Sequence, residues 1–250
     1  MSNFQRFFRR VAAAIAMAIG LTGAPTSGLP PAESGNLNPG VLPLHSNPYG
    51  NTYAEWSARF TQWGFSIPVA INPILDVTGA NCAEGQSGPV WFLAGSFSSG
   101  TVERACTVPH GKALFFPIDG ALFGAAVFDC EPTAPGVPCD VPTLRAAAAE
   151  AVESVTLEAS IDHVPLHNMT DYRVPSPVFS VTLPEDNVVA FLSGVEVPSG
   201  IYAPVVSDGY FLMLAPLSSG AHTIHFKATI TAGPFAGSAS EITYHLTIGR

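Results

Sequence analysis

Charged side chains are scarce in this sequence. Asp, Glu, Lys and Arg together make up 12% of the 250 residues, about half of the fraction usual for soluble domains. Ten residues are basic, nineteen are acidic, and no cluster of Lys and Arg follows the N-terminal region. Because proteins hold a phosphate backbone with clustered basic side chains, the composition argues against a nucleic-acid partner.

Several common catalytic signatures are missing as well. The sequence contains no G-x-S-x-G, S-x-x-K or H-E-x-x-H motif, no phosphate-binding loop and no dinucleotide fingerprint. These motifs place a nucleophile, a metal-activated water or a nucleotide phosphate. Their absence removes the commonest hydrolases and the familiar nucleotide-dependent enzymes, and it leaves convergent catalytic sites open.

Long apolar runs are also missing, except for a short one at the N-terminus. Three arginines (Arg6, Arg9 and Arg10) precede an apolar run over residues 11–21, and small residues follow at 22–24. This layout is typical of a secretory signal peptide, which we place at residues 1–24. Since no later segment is long enough to span a bilayer, we expect a secreted or cell-envelope protein without a membrane span after processing.

The four cysteines of the sequence agree with export. They are Cys82, Cys106, Cys130 and Cys139, and an even number in an oxidising compartment predicts two disulfides. Three pairings are open, of which Cys82–Cys106 with Cys130–Cys139 is preferred because each bridge closes a local loop. A four-thiolate zinc site is the alternative, and the absence of a C-x2-C pair argues against it.

The domain organisation follows from composition. Residues 25–51 are rich in Pro, Gly, Ser and Asn and have no apolar period, which predicts a flexible lead. The folded domain is expected over residues 52–250. A division into two packed subdomains, 52–140 and 141–250, is the alternative.

The stretch TYAEWSARFTQW (52–63) predicts an amphipathic helix. Its four aromatic residues are spaced by three, four and three positions and therefore share one helix face. Thr52 and Glu55 have the spacing of a capping box. An aromatic stripe of this kind is more often a core anchor than an exposed platform for stacking sugars, and we expect these rings to be buried.

From residue 89 the apolar period changes to two. Residues 101–108 and 112–118, joined by Pro109-His110-Gly111, predict a β-hairpin. Residues 141–154 predict a short helix, because Asp140 is a candidate N-cap and four consecutive alanines have high helix propensity.

The last third of the chain has the pattern of a β meander. Within it, VVAFL (188–192) is interpreted as a strand and Ser207-Asp-Gly209 as a hairpin turn between two strands. The expected fold class is therefore all-β: an antiparallel β-sandwich, jelly-roll or immunoglobulin-like, with one N-terminal aromatic helix and one short Ala-rich helix.

Five stretches also carry a resemblance: WSARFTQWGFSIP, GPVWFLAG, CTVPHGKALFFPI, SDGYFLMLAPLSSGAHTIHF and ITYHLTI. They are similar to those of a family of uncharacterised exported microbial proteins, over most of residues 52–248. The resemblance implies export and a single extended domain, and it brings no activity with it. Where such proteins have Asp-Gly, this chain has Asp162-His163, which draws attention to His163.

The candidate catalytic residues are Glu103, His110 and Asp119, which lie in and after the predicted hairpin. If the turn opens into a pocket, His110 with Asp119 could carry out acid–base chemistry. The alternative is a structural role, in which Glu103 pairs with Lys112 across the hairpin.

The candidate metal ligands are His163 and His167, which flank a predicted turn with Asp162 nearby. No cofactor is clearly implied by the sequence; a divalent metal at this turn is one interpretation, and a polar turn explains the same residues. His222 and His225 are expected on opposite faces of a strand, where they could not share one ion. Asp76, Thr78 and Asn81 are expected to form a turn rather than a calcium loop.

Three functions remain open. The first is a secreted or envelope-associated module that binds carbohydrate or another extracellular polymer, since antiparallel sandwiches often bind through their loops. The second is a secreted hydrolase or lyase acting on a polysaccharide or an ester. The third is a structural surface protein. The sequence sets no oligomeric state.

Overall fold

The computed structural model describes residue 38 and residues 40–97, 100–124 and 140–250. The predicted signal peptide and the predicted Cys130–Cys139 bridge lie outside the described residues. Within them, no helix is long and apolar enough to cross a membrane.

Ten strands and three α-helices are present in the described part of the chain. In chain order they are α1 (Tyr53–Ser66), β1 (Val90–Phe92), β2 (Gly100–Val108), β3 (Ala113–Gly124), α2 (Val141–Ala151), β4 (Val155–Ile161), β5 (Val164–Pro165), β6 (Arg173–Pro175), β7 (Phe179–Leu183), α3 (Val188–Ser193), β8 (Gly200–Leu214), β9 (Gly220–Ile230) and β10 (Ala239–Ile248).

The strands form two five-stranded sheets. The first sheet has the order β1-β3-β8-β6, and β7 also pairs with β8; the second sheet has the order β2-β10-β9-β4-β5. Both sheets are mixed, because β1 runs parallel to β3 and β2 runs parallel to β10. About 21% of the described residues are helical and about 40% are in strands. The prediction of an all-β antiparallel sandwich is therefore wrong.

The two sheets face each other across one apolar layer, and helices cover the rest of the first sheet. Side chains from both sheets meet in the largest cluster, which includes Leu114, Phe116, Leu212, Ile224, Phe226 and Tyr244. The rings of α1 pack on the opposite face of the first sheet. Helix α2 packs against Phe123 and Val206, where β3 and β8 extend past the facing sheet.

Helix α1 confirms the prediction made from its aromatic spacing. Thr52 accepts a hydrogen bond from the Glu55 N–H, and the Glu55 carboxylate accepts one from the Thr52 N–H at 2.7 Å, so the capping box is complete. The four rings, Tyr53, Trp56, Phe60 and Trp63, are all at most 9% exposed. The aromatic stripe is a core anchor.

The other two helices divide between a confirmed and a wrong prediction. Helix α2 begins after Asp140, whose carboxylate accepts from the Thr143 N–H, and it ends three residues before the predicted Ser154. VVAFL lies in α3 instead of a strand. Asn187 caps the start of α3, and Gly194 follows its end in the left-handed conformation. The prediction of a strand was based on the short apolar run alone, and such a run does not distinguish a strand from a helix.

Two predicted hairpins are also wrong. Strands β2 and β3 belong to different sheets, and the Pro109–Lys112 turn carries the chain from one sheet to the other. The Ser207-Asp-Gly209 segment lies inside β8, a single strand of fifteen residues. Gly209 is needed there for close packing, since a Cβ would lie 2.6 Å from the Asp119 carbonyl oxygen.

The structure describes part of the predicted flexible lead, and there the chain packs against the first sheet. Residues 40–51 belong to the predicted flexible lead, yet Val41 is 2% exposed and bridges to Leu214 of β8. Both sheets combine strands from before and after residue 140. A division of the chain into subdomains at that residue would cut both sheets.

Candidate functional site

The outer face of the second sheet is polar. Because side chains alternate along a strand, the residues between the buried positions of β2, β4, β9 and β10 all point away from the first sheet. We call this surface the polar face; its members are Thr101, Glu103, Ala105 and Thr107 of β2, Thr156, Glu158 and Ser160 of β4, Thr223, His225, Lys227 and Thr229 of β9, and Glu241, Thr243, His245 and Thr247 of β10. It has no aromatic ring other than the two imidazoles.

A groove of about 510 Å³ crosses the polar face beside the β4–β5 turn. Five polar side chains line it, namely Glu158, Ser160, Thr223, His225 and Thr243, together with His163 from the turn. Pro165 and Leu166 form an apolar wall. The groove therefore combines hydroxyl, carboxylate and imidazole groups with one apolar side.

The strand register explains why these side chains meet. Ser160 pairs with His225, and His225 pairs with Thr243, so the three lie in one row across β4, β9 and β10. Neighbouring residues of this row lie on adjacent strands about 5 Å apart. At this spacing their side chains can contact one ligand together.

Ion pairs hold part of the groove in place. His225 Nε2 lies 3.0 Å from Glu241 Oε1, and Lys227 Nζ lies 3.7 Å from Glu241 Oε2. The hydrogen bond from His225 is the main cause of a Glu241 pKa below its ordinary value, with the charge of Lys227 acting in the same direction. His225 Nε2 and Lys227 Nζ thus keep the Glu241 carboxylate charged. The hydrogen bond to Glu241 in turn fixes the His225 ring at the groove.

The structure does not bring together the three catalytic candidates. Glu103 is on the polar face, where its carboxylate lies 3.7 Å from His245 Nε2. His110 is exposed in the turn that precedes β3, whereas Asp119 is six residues into β3. Six residues of strand span about 20 Å, so His110 and Asp119 cannot share a proton. Lys112 donates to the Gly88 carbonyl instead of pairing with Glu103.

Asp119 lies in a half-buried position created by a β-bulge. The register shifts between Pro117 and Asp119, which places Asp119 opposite Tyr210 of β8. Burial raises the pKa of Asp119 to about 6, although a hydrogen bond from the Gly120 N–H opposes the shift. Burial is also the main cause that raises the pKa of Tyr210.

A second carboxylate, Asp208, lies near this pair and is neutralised by an arginine. Asp208 is 6% exposed, and Arg173 approaches both of its oxygens, at 3.1 and 3.0 Å. Arg173 also donates to the Ala149 carbonyl at the end of α2. The arrangement ties α2, β6 and β8 together, which is a structural use of the charges.

The two candidate metal ligands lie in different surroundings. His163 occupies the β4–β5 turn with a positive φ of 66° and lines the groove. The backbone of His167 exchanges two hydrogen bonds with the Asn38 side chain, at 2.7 and 2.8 Å. No three His, Cys, Asp or Glu side chains in the described ranges converge as a metal site would require.

The disulfide prediction is confirmed where the structure tests it. Cys82 and Cys106 are bonded, which joins the segment before β1 to the edge strand β2. Asp76 accepts hydrogen bonds from Thr78 N–H and Oγ1 and from the Asn81 N–H, so this segment is the polar turn that the sequence favours.

The sequence analysis did not single out the groove. The outward residues of β4, β9 and β10 were visible as polar positions in segments of period two, such as AHTIHFKATI and ITYHLTI. Their convergence depends on which strands pair, and a period of two does not specify the partner. The sequence places His225 on the strand face opposite to that of His222, and it does not show that His225 belongs to a row.

No protein-family model and no curated protein matches this chain. One chain that matches among solved structures comes from a work described as "Structure of PbICP-C in complex with falcipain-2". It is 11% identical and covers 65% of this chain and all of its own length, with a TM-score of 0.25. A TM-score this low does not show a shared fold.

Proposed function

We propose that this protein is an exported binding module and that the groove on the polar face holds a hydroxyl-rich polymer, a glycan in the first instance. The observation that carries the proposal is the row Ser160–His225–Thr243, flanked by Glu158 and Thr223 in one groove. Donors and acceptors that alternate across a flat sheet are suited to the hydroxyl groups of sugar rings.

The size and chemistry of the groove support this proposal. A volume of about 510 Å³ lies in the range of small-ligand sites, about 300–1,000 Å³. Hydroxyl and imidazole groups both donate and accept hydrogen bonds, and Pro165 offers an apolar edge for the carbon face of a sugar. Because the polar face has no Trp or Tyr, recognition depends on hydrogen bonds and not on ring stacking.

Export is supported by two independent features. The Cys82–Cys106 disulfide is typical of oxidising compartments, and the first 24 residues have the composition of a secretory signal peptide. A glycan of the cell envelope or of the surroundings is the polymer that such a protein meets.

The rival enzyme function loses its original motivation. His110 and Asp119 were the pair expected to carry out acid–base chemistry, and six residues of β3, about 20 Å, separate them; Glu103 lies on the other sheet. Asp119, the one with a raised pKa, is opposite Tyr210 inside the fold.

The proposal is tested with a thermal-shift panel of soluble oligosaccharides on the oxidised protein. A ligand at one hundred times its dissociation constant adds about 2.7 kcal/mol of stability, which raises the melting temperature by several degrees. The test variant is His225→Ala and its matched control is His245→Ala, since both remove a polar-face imidazole beside a glutamate. Only the first imidazole lines the groove.

We expect at least one sugar to shift the wild type and the control, and the shift to be lost in His225→Ala. Equal loss in both variants would place binding elsewhere. No shift with any sugar would contradict glycan binding.

A further inference from the structure

A serine, a histidine and an aspartate outside the groove form a hydrogen-bonded relay. Ser218 Oγ lies 3.2 Å from His222 Nε2, and His222 Nδ1 lies 2.7 Å from Asp162 Oδ2. We propose that Ser218, His222 and Asp162 form a nucleophilic site that transfers the acyl group of a carboxylic ester to water. The proposal does not depend on glycan binding.

Three separate parts of the fold position these residues. Ser218 is in the loop between β8 and β9, His222 is near the start of β9, and Asp162 is in the turn between β4 and β5. They are not contiguous in sequence, which is usual for such relays, since these are recognised by geometry and role and not by spacing.

The carboxylate of Asp162 is held in a fixed orientation. Its Oδ1 accepts a hydrogen bond from the Thr223 N–H at 2.8 Å, and its own N–H donates to the Thr223 carbonyl at 2.8 Å. Although burial acts to raise it, the pKa of Asp162 lies below its ordinary value because of hydrogen bonds from Thr223 and His222. A charged, oriented carboxylate fixes the ring with its proton on Nδ1.

The exposure of His222 and Ser218 suits this division of roles, whereas the Asp162 side chain is 46% exposed and is oriented by its hydrogen bonds. The His222 ring is 12% exposed, so it is sheltered from solvent, whereas Ser218 is exposed and open to a substrate. With the proton on Nδ1, the lone pair of Nε2 can accept the hydroxyl proton of Ser218.

The Ser218 carbonyl oxygen also lies 3.0 Å from His222 Nε2. It can accept a hydrogen bond only when Nε2 carries a proton, which is the state formed after the serine has been deprotonated. The carbonyl therefore stabilises the imidazolium that the reaction generates. A ring held permanently as a cation between Asp162 and this carbonyl is the competing arrangement, which the experiment below separates from catalysis.

Donors for a developing oxyanion are present next to the nucleophile. The backbone N–H groups of Ser218 and Ser219 donate to no other group in the described part of the chain. The N–H of the residue that follows a nucleophilic serine is a common contributor to an oxyanion hole. The Ser219 side chain points elsewhere, since its hydroxyl donates to the Gly249 carbonyl at 2.7 Å.

The reaction balances with water as the only co-reactant. Ser218 Oγ attacks the ester carbonyl carbon, and its proton passes to His222 Nε2. The carbon–oxygen bond to the alcohol then breaks, and the proton on Nε2 goes to the leaving oxygen. Water attacks the acyl-serine and gives its proton to His222, which returns it to Ser218 Oγ as the acid is released.

The experiment uses a fluorophosphonate probe with the full oxidised protein. The serine oxygen forms a bond to phosphorus, the phosphorus–fluorine bond breaks as fluoride leaves, and the proton passes to His222. We expect mass spectrometry to find one adduct, on the peptide that contains Ser218. Ser218→Ala and His222→Gln should lose it, and the control Ser199→Ala, which changes an exposed serine outside the relay, should retain it.

Hydrolysis of p-nitrophenyl acetate gives a second measurement. We expect Ser218→Ala and Asp162→Asn to lower kcat/KM at least 100-fold, with Ser199→Ala unchanged and the melting temperature of Ser218→Ala within about 1 °C of wild type. No adduct on native wild-type protein, or an ester rate that Ser218→Ala leaves unchanged, would overturn the proposal and assign the relay to fixing the β4–β5 turn.

Discussion

At the scale of single residues, the most unusual feature is a charge inside the core. Arg104 is 1% exposed and donates to four backbone carbonyls, those of Ile74, Asp76, Ala94 and Gly95. It also donates to the Tyr244 hydroxyl at 2.8 Å. The carbonyl dipoles take the place of water around the guanidinium. Through these hydrogen bonds, the Arg104 side chain holds the segment 74–95 against the edge of the second sheet.

This arrangement predicts a large effect of Arg104→Met. The methionine fills a similar space, but it removes the donor of five acceptors, of which the Ala94 carbonyl still accepts from the Tyr244 hydroxyl. A buried acceptor left without a donor costs about 1–3 kcal/mol. Urea unfolding of both proteins measures the difference, with the exposed arginine in Arg59→Met as the control. A loss in Arg104→Met no larger than in the control would contradict the role assigned to this side chain.

The half-buried Asp119 predicts a dependence of stability on pH. Its folded pKa is about 6 and an unfolded aspartate titrates near 3.9, so the folded state binds more protons between these values. The contribution of Asp119 to stability should therefore fall as pH rises from about 4 to about 6, by on the order of 2 kcal/mol, and then remain level.

Asp119→Asn should remove this fall, because the amide resembles the protonated acid. The variant is expected to be more stable than wild type at pH 7.5 and similar to it at pH 4, measured by thermal unfolding at both pH values. Asp171→Asn, which changes an exposed aspartate, is the control and should behave as wild type does. A stability difference between wild type and Asp119→Asn that stays constant between the two pH values would show that Asp119 is not the group that titrates.

At the scale of elements, α1 carries the clearest prediction. Trp56 is 6% exposed, its indole N–H donates to the Pro48 carbonyl at 2.9 Å, and its ring packs edge-on against Phe92. Trp56→Ala should lower the free energy of unfolding by about 3–5 kcal/mol through the cavity it leaves. Gln62→Ala, on the exposed side of α1, should lower it by less than about 1 kcal/mol.

The same variants separate the core from the binding surface. Trp56→Ala should still bind any sugar that shifts the wild type, at temperatures where the variant is folded, because α1 covers the first sheet and the groove is on the second. If Trp56→Ala instead kept the stability of the wild type and failed to bind sugar, α1 would be a binding surface and not a core anchor.

Elements with local signals could be predicted from the sequence, and the pairing of strands could not. The capping box at Thr52, the N-cap at Asp140 and the Cys82–Cys106 bridge each depend on residues close in the chain. In contrast, the segments 101–108 and 112–118 form strands as predicted, but they do not pair with each other as predicted. The apolar pattern of each segment indicates that the two strands lie in different surroundings. The run in β3 is continuous because β3 is buried between α1 and the second sheet, whereas β2 alternates because one of its faces meets solvent.

The site could be predicted only in part for the same reason. Alternation placed His225 on a strand face, but its neighbours Ser160 and Thr243 come from strands 65 and 18 residues away in the chain, and only the register joins them. Asp119 was selected as a polar residue after a hairpin, and its burial follows from a β-bulge opposite Tyr210. Neither the bulge nor the register has a local sequence signal that determines it.

At the scale of the whole molecule, the described part of the chain interlocks its two halves and leaves one sheet face uncovered by any other described element. The first sheet lies between α1 and the second sheet, so both of its faces are apolar. The outer face of the second sheet carries threonines, glutamates, histidines and one lysine in regular rows. The arrangement separates a rigid scaffold from a flat surface that can contact an extended polymer.

The most direct test of the central claim is an amide chemical-shift titration of the isotope-labelled protein with the oligosaccharide that gives the largest thermal shift. We predict that the perturbed amides cluster in β4, β9, β10 and the turn at His163, and that His225→Ala abolishes them. Perturbations confined to α1, α3 or the first sheet, or none at saturating sugar, would contradict the assignment of the polar face as a glycan-binding surface.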